Sequence, residues 1–488
     1  MRPRQSKWTP SGIFHLYSHR YIYAIAYMMQ SCEYELAPFL RWFWRTRDIG
    51  RVTYRKKLII TKVVIGILIF GSTVIVAQYL LVGYLVYQGF VQDSVGNYFL
   101  ASGVLFAQPI ITAHMMIIPV LLGSWLIIKP LTVINLRKAH KIFSEHTGKV
   151  IAIAGSYGKT SMKEILYAVL SSDIETAATE GNMNTHIAHA RFARKLTGKE
   201  SAIIVELGEY VPGDIMKYCR IIQPDFGIIT GLAPIHMHNF SNIDNAGKNL
   251  FDLAKYIGNK NVFVNDENVF MKKFITKEYG LYSRTATSGW AVSKARTSLQ
   301  GTVFKLTKGK KTMDIKTGLI GKHIIGPVSL AVVLAVEEFG VKPDKVEKNI
   351  ANLKSIPHRM EPKKLASGAW LIDDSYNGNI EGVRAIIDFL NEIKAKRKIY
   401  VTPGLVEQGV ETISVHNEIG ELLADSVDEV ILMRNSTTSL IEAGLANRNF
   451  KGVLRKVDDP VEFYESFEHL VSDGDVIVLQ NDWTDNYS

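Results

Sequence analysis

The segment Gly155-Ser156-Tyr157-Gly158-Lys159-Thr160-Ser161 carries the most explicit chemistry in the chain. Its glycines let backbone N–H groups turn toward an anion, a Lys ammonium there reaches terminal phosphates, and a Thr hydroxyl holds Mg²⁺. The spacing is G-x-x-G-K-T, and Ile153 stands where the longer G-x-x-x-x-G-K-[ST] pattern has its first Gly. The context supplies what the spacing lacks. KVIAIA, residues 149–154, reads as a buried parallel strand, and a helical pattern runs from Met162 to Leu170. The bland alternative is a tight turn with a surface Lys.

Other predicted strands also end in polar groups. SAIIV runs into Glu206, DFGIIT leads to His236, and Trp370–Ile372 runs into Asp373-Asp374-Ser375-Tyr376-Asn377. In open α/β sheets, ligands collect beyond the carboxyl ends of the strands, so these groups are expected beside Lys159. A carboxylate and a neutral imidazole placed there suit Mg²⁺. Taken singly, Glu206 reads equally well as a helix cap and His236 as a loop residue.

The elements that must position these groups alternate strand and helix. The last 130 or so residues repeat the alternation through KIYVTPG, EVILMR, GVLRKV and DVIVLQ, the mark of a Rossmann-like unit. The expected fold class is therefore α/β: a P-loop central ATPase domain with a parallel-rich sheet (148–356) and a C-terminal Rossmann-like domain (357–488). The boundary falls near Ser355–Arg359.

With those motifs in place, a family resemblance follows. GSYGKTS, GNMNTHIA (181–188), VELGEYVPGDI (205–215), PDFGIITGLAPIHMHNF (224–240), IPHRMEP (356–362) and IDDSYNGN (372–379) occur in the order seen in Mur ligases. Those are ATP-dependent amide-bond ligases of peptidoglycan synthesis, and DDSYN most resembles the branch that adds D-alanyl-D-alanine to a muramoyl-tripeptide. The resemblance implies ATP and Mg²⁺, an acyl-phosphate intermediate, and a cell-wall precursor peptide (UDP- or lipid-linked) joined to an amino-acid or dipeptide amine.

Carried onto this sequence, the resemblance makes Lys159, Glu206, His236 and Lys248 catalytic. Gly155, Ser156, Tyr157, Gly158, Lys159, Thr160, Ser161, Arg359, Asp374, Tyr376 and Asn377 would hold ATP. Asn182, Asn184, Glu407 and His416 would meet substrate. Thr160, Glu206, His236 and a carbamylated Lys248 would bind metal. Two positions depart from the family: after Gly321-Lys322-His323, Ile324 and Pro327 replace Asn residues that help hold adenine. The family's N-terminal uridine-nucleotide-binding domain also finds no counterpart in residues 1–147.

Those residues read differently. The 488-residue chain has a net charge of +10 and a mean hydropathy of +0.06. Residues 1–62 carry twelve Lys or Arg against three acids. From Val63 to Ile128, Asp93 is the one Asp, Glu, Lys or Arg. Val63–Val86 and Tyr98–Ile128 are each long enough to span a hydrocarbon core of about 30 Å. Lysines and arginines flank both outer ends, which places both termini and the catalytic domains in the cytoplasm. The expected organisation is a basic aromatic arm (1–57), a two-helix transmembrane hairpin (58–128) and a basic linker (129–147). The arm reads first as an interfacial helix, with a cytosolic helical packing arm as the bland alternative. Its charge points to anionic membrane lipids and not to nucleic acid. Two cysteines, Cys32 and Cys219, exclude a disulfide framework and a four-thiolate zinc site.

Competing readings are a poly-γ-glutamate synthase type, an amidating ligase of lipid-linked precursors, and a non-catalytic nucleotide-binding membrane scaffold. DDSYN argues against the first, and the cysteine count against the second. The joint presence of Lys159, Glu206, His236 and Lys248 argues against the third.

Overall fold

The computed structural model describes residues 16–32, 34, 36–45, 58–234, 237–376, 378–406 and 408–480, which form two compact units, 1–134 and 135–488. The first unit is helical: α1 (His19–Ser31), α2 (Leu36–Arg45), α3 (Lys62–Val91), α4 (Val95–Met115) and α5 (Ile117–Gly123). A five-residue π-helix, Ser124–Ile128, leads into α6 (Lys129–Glu145). Thr61 caps α3, its hydroxyl accepting from Val64 N. At 30 residues, α3 is about 45 Å long at 1.5 Å per residue, more than a bilayer core needs. Pro119 has no N–H for the Met115 carbonyl, which accounts for α4 ending there.

Side chains sort by face in this unit. Ile22, Ile25 and Met29 of α1 and Phe39 and Phe43 of α2 pack with Ile67, Ile75, Ala113 and Met116 of the long helices. The Tyr21 hydroxyl donates to the Pro109 carbonyl at 2.8 Å. Outward, Ile69, Leu80, Phe90, Phe99, Phe106 and Trp125 are exposed, a large apolar surface for any chain in water. The described part of the arm, α1 and α2, packs on this pair of helices. The expected linker is likewise ordered: residues 129–145 are helical, with Ala139 and Phe143 buried.

The second unit holds two sheets. The first has ten strands in the order β10-β9-β8-β7-β6-β5-β4-β1-β3-β2. They are β1 (Lys149–Ala154), β2 (Thr176–Ala178), β3 (Ala202–Glu206), β4 (Phe226–Ile229), β5 (Val262–Asn265), β6 (Gly280–Tyr282), β7 (Ala286–Thr287), β8 (Trp290–Ser298), β9 (Gly301–Lys308) and β10 (Lys311–Thr317). β2 to β6 pair in parallel around β1, and β7 to β10 add an antiparallel extension. Its helices are α7 (Lys159–Leu170), α8 (His186–Ala193), α9 (Asp214–Ile222), α10 (Met237–Phe240), α11 (Ile243–Ile257), α12 (Ile325–Glu337) and α13 (Pro343–Asn352). β1 is an unbroken apolar run because helices cover both of its faces: Ile151 and Ile153 pack with α7 and α12, Val150 and Ala152 with α9 and α11.

The other sheet has six strands in the order β11-β12-β16-β13-β14-β15, parallel except β11. The strands are β11 (Glu361–Lys364), β12 (Trp370–Asp374), β13 (Arg397–Thr402), β14 (Glu429–Met433), β15 (Val453–Val457) and β16 (Asp475–Gln480). They alternate with α14 (Ile380–Glu392), α15 (Thr412–Ala424), α16 (Thr438–Asn447) and α17 (Pro460–Ser466). This is the doubly wound arrangement that the alternation predicts.

Candidate active site

Register brings the first groups together. β1 pairs β3 with Ile153 opposite Glu206, and β4 flanks β1 on its other side. The loop after β1 therefore starts beside the carboxylate that ends β3. Gly155 (φ +148°) and Gly158 (φ +76°) take backbone conformations that favour glycine, and a Cβ on Gly155 would run into Thr230 Oγ1. Gly158 then caps α7, whose N-terminal N–H groups face the loop. The Lys159 ammonium folds back onto the Gly155 carbonyl.

Glu206 is 1% exposed, and three groups lie within 4 Å of its carboxylate. Thr160 Oγ1 donates to Oε2 at 3.0 Å, and Asn184 Nδ2 to Oε1 at 3.3 Å. Lys163 Nζ lies 3.6 Å from Oε2, and the guanidinium of Arg359 feels the same charge at longer range. The backbone of Glu206 is pinned too: its N–H donates to Thr179 Oγ1 at 3.1 Å, and its carbonyl meets His189 Nε2 at 2.8 Å. A hydroxyl and a carboxylate oxygen this close, at the end of a phosphate loop, form a hard-oxygen pair suited to Mg²⁺.

Beside the loop opens a cavity of about 250 Å³, shared by both sheets' connections. Tyr157, Gly158 and Ser161 line one side, Arg359, Asp374 and Asn379 another, and Leu319, Ile324 and Pro327 supply an apolar end. Arg359 stacks over the Tyr376 ring at 4.4 Å, and burial pulls its pKa down against the pull of Asp374, Tyr376 and Glu206. Burial pushes Asp374 up to about 7, although Met360 N donates to its Oδ1 at 3.0 Å and Arg359 opposes the rise. Asn379 caps α14 by accepting from Gly382 N at 3.0 Å.

His236, Asn377 and Glu407 lie outside the described residues. Asn182 is exposed in the loop before α8. Lys248 is exposed on α11 and makes no hydrogen bond or ion pair to the Thr160–Glu206 cluster. His416 is a correction to its expected role at the substrate. It is fully buried, accepts from Leu405 N at 2.9 Å through Nε2 and meets the Thr412 carbonyl through Nδ1. It holds the 403–406 loop from behind.

Other residues went unrecognised in the sequence. Lys163 is one helical turn past Lys159, and its i,i+4 spacing was the available signal. Arg284 also lines the cavity, paired with Glu267 at 2.7 Å and with Asp388 at 3.6 Å. It sits between β6 and β7 with no motif around it.

A phosphate loop whose Thr160 meets the carboxylate ending the neighbouring strand, and an arginine from a second α/β domain lining the cavity beside that loop, define a two-domain nucleotide-dependent enzyme. Comparison with known proteins narrows the class. Residues 153–335 match the Mur ligase middle domain, and residues 358–480 match the Mur ligase glutamate ligase domain. The UDP-N-acetylmuramoyl-tripeptide--D-alanyl-D-alanine ligase of Escherichia coli is 27% identical over 312 residues, 62% of this chain and 68% of that one. Among solved structures, MurF from Acinetobacter baumannii aligns with a TM-score of 0.63 at 19% identity, over 72% of this chain and 77% of that one. MurF from Thermotoga maritima in complex with ADP gives 0.61 at 21% identity, over 72% and 80%. The chain belongs to the Mur ligase family and is an ATP-dependent ligase.

Proposed function

We propose that this ligase adds D-alanyl-D-alanine, or a similar amine, to a muramoyl-peptide of cell-wall synthesis. The observation that carries the ligase reading is the Thr160–Glu206 oxygen pair at 3.0 Å, at the end of the phosphate loop and within the field of Arg359. An acceptor carboxylate oxygen attacks the γ-phosphorus of ATP, forming a P–O bond as the bond to the ADP oxygen breaks. The amine nitrogen then attacks the acyl carbon, sheds a proton, and the adduct collapses to amide and inorganic phosphate. Neither step needs a protein nucleophile. What the chain contributes is neutralisation of charge where anions converge, through Lys159, Arg359 and the N–H groups before α7. Thr160 and Glu206, with His236, would hold Mg²⁺, which supplies further charge stabilisation at the phosphates.

The finer assignments are part of the same proposal. Gly155 to Ser161, Arg359, Asp374, Tyr376 and Asn377 would hold nucleotide, and Asn182, Asn184 and Glu407 would meet the acceptor. Lys248 carries a carbamate; a Lys248→Ala variant with full turnover would refute that. α3 and the helical run 95–145 are each long and apolar enough to cross a membrane. With the basic residues on both flanks, they support a cell-membrane protein, associated with anionic lipids, whose termini and catalytic domains are cytoplasmic. The acceptor is then presented at the bilayer. Phosphate release by the full chain with ATP, Mg²⁺, muramoyl-tripeptide and D-alanyl-D-alanine tests the reading. It requires both acceptor and amine, and faster turnover on lipid-linked than on UDP-linked tripeptide supports presentation at the surface.

A further inference from the structure

Lys163 is fully buried, an unusual place for an ammonium group. A buried cation is tolerated when carbonyl or carboxylate oxygens replace its water shell. Three segments provide them here. The Lys163 Nζ donates to the Gly181 carbonyl, lies 3.6 Å from Glu206 Oε2, and lies 3.3 Å from Glu164 Oε1. Gly181 adopts φ +50° and belongs to the loop that ends at the Thr185 cap of α8. Three residues on, Asn184 reaches Glu206 from the opposite side. The Asn184 carbonyl also accepts from Gly208 N at 2.9 Å, and its Oδ1 from the Tyr210 hydroxyl at 3.2 Å. One ammonium thus joins the nucleotide-binding helix, the strand-end carboxylate and the 180–185 loop.

We infer that Lys163 is a positioning residue that ties the 180–185 loop to the phosphate-binding helix, so that nucleotide occupancy orders the loop facing the acceptor. The inference rests on the ligase reading for what the loop meets, but the tie itself is independent of that reading. Losing Lys163 leaves Glu206 and the Gly181 carbonyl without the cation they share and frees the loop from α7. Lys159 and Thr160, which touch nucleotide directly, keep their places.

Hydrogen exchange of residues 180–185 in the full chain, with and without ADP and Mg²⁺, tests this. In the unaltered protein, ADP with Mg²⁺ slows exchange of the loop at least fivefold. Lys163→Met speeds loop exchange tenfold or more and abolishes the response to ADP, whereas Lys163→Arg restores it to within threefold. In turnover, Lys163→Met raises KM for the acceptor at least tenfold and KM for ATP less than threefold. Loop exchange that ignores ADP in the unaltered protein overturns the inference. So does an even rise across α7 and β3 in Lys163→Met, which marks a merely structural role. If Lys163→Met does not fold, the unaltered protein and Lys163→Arg decide. Failure of the ligase reading would appear separately, as absence of amine-dependent phosphate release.

Discussion

Charge placement at single residues decides the chemistry. Lys159 is held by the Gly155 carbonyl at the mouth of the loop, with no carboxylate among its hydrogen-bond partners in the described residues, so it can turn to an incoming phosphate. Lys159→Ala is expected to lower kcat about 10²–10³-fold, the range for removing a preorganised donor to developing charge, with little change in melting temperature. Asp374 makes a prediction with a sign. Its folded pKa, about 7, stands above the usual carboxylate value because it is buried. The folded state therefore holds the proton more tightly, and the stability this contributes is full at low pH and lost as pH rises from about 4 through 7. Asp374→Asn keeps an acceptor for Met360 N and removes the titration. Its melting temperature should match the unaltered protein near pH 4 and exceed it increasingly up to pH 8; a constant offset would contradict the assignment.

At the scale of elements, strand register and helix packing turn separated motifs into a site. The P-loop was legible because strand, glycine turn and helix are contiguous in sequence, and Glu206 because it closes an apolar run. Lys163 was not legible: within MKEI it reads as one more surface charge, and its burial depends on the 180–185 loop lying over α7. Arg284 was hidden for the same reason, since Glu267 and Asp388 reach it from distant segments. His416 was misread because its spacing could not reveal that both ring nitrogens are spent on local backbone. Helix packing is testable in the first unit. A Cβ on Gly71 of α3 would lie 2.8 Å from Ile22 Cγ2 and 3.1 Å from Met116 Sδ. Gly71→Leu should therefore loosen α1 at a cost of about 1–3 kcal/mol, read as faster proteolysis within residues 16–32. Unchanged proteolysis would show that α1 is not held by this contact.

On the scale of the whole molecule, two units of different surface chemistry share one chain. The α/β class and its two sheets were readable from alternation, and the two long apolar helices from run length. That α1 packs on those helices is not readable from the sequence, because an aromatic amphipathic segment suits a headgroup layer and a cytosolic packing arm alike. The exposed apolar faces of α3 and α4 lead us to expect that the full chain pellets with membranes and stays there through high salt and alkaline wash. Release by salt alone would mean that charge, and not the apolar helices, holds it.

The central claim, that a carboxylate is activated by phosphoryl transfer and captured by an amine, has a direct test. Acceptor peptide labelled with ¹⁸O in its reacting carboxylate is turned over with ATP, Mg²⁺ and D-alanyl-D-alanine, and the inorganic phosphate is examined by mass spectrometry. The account predicts one ¹⁸O in the phosphate for each amide formed. Amide formation that leaves the phosphate unlabelled would contradict it.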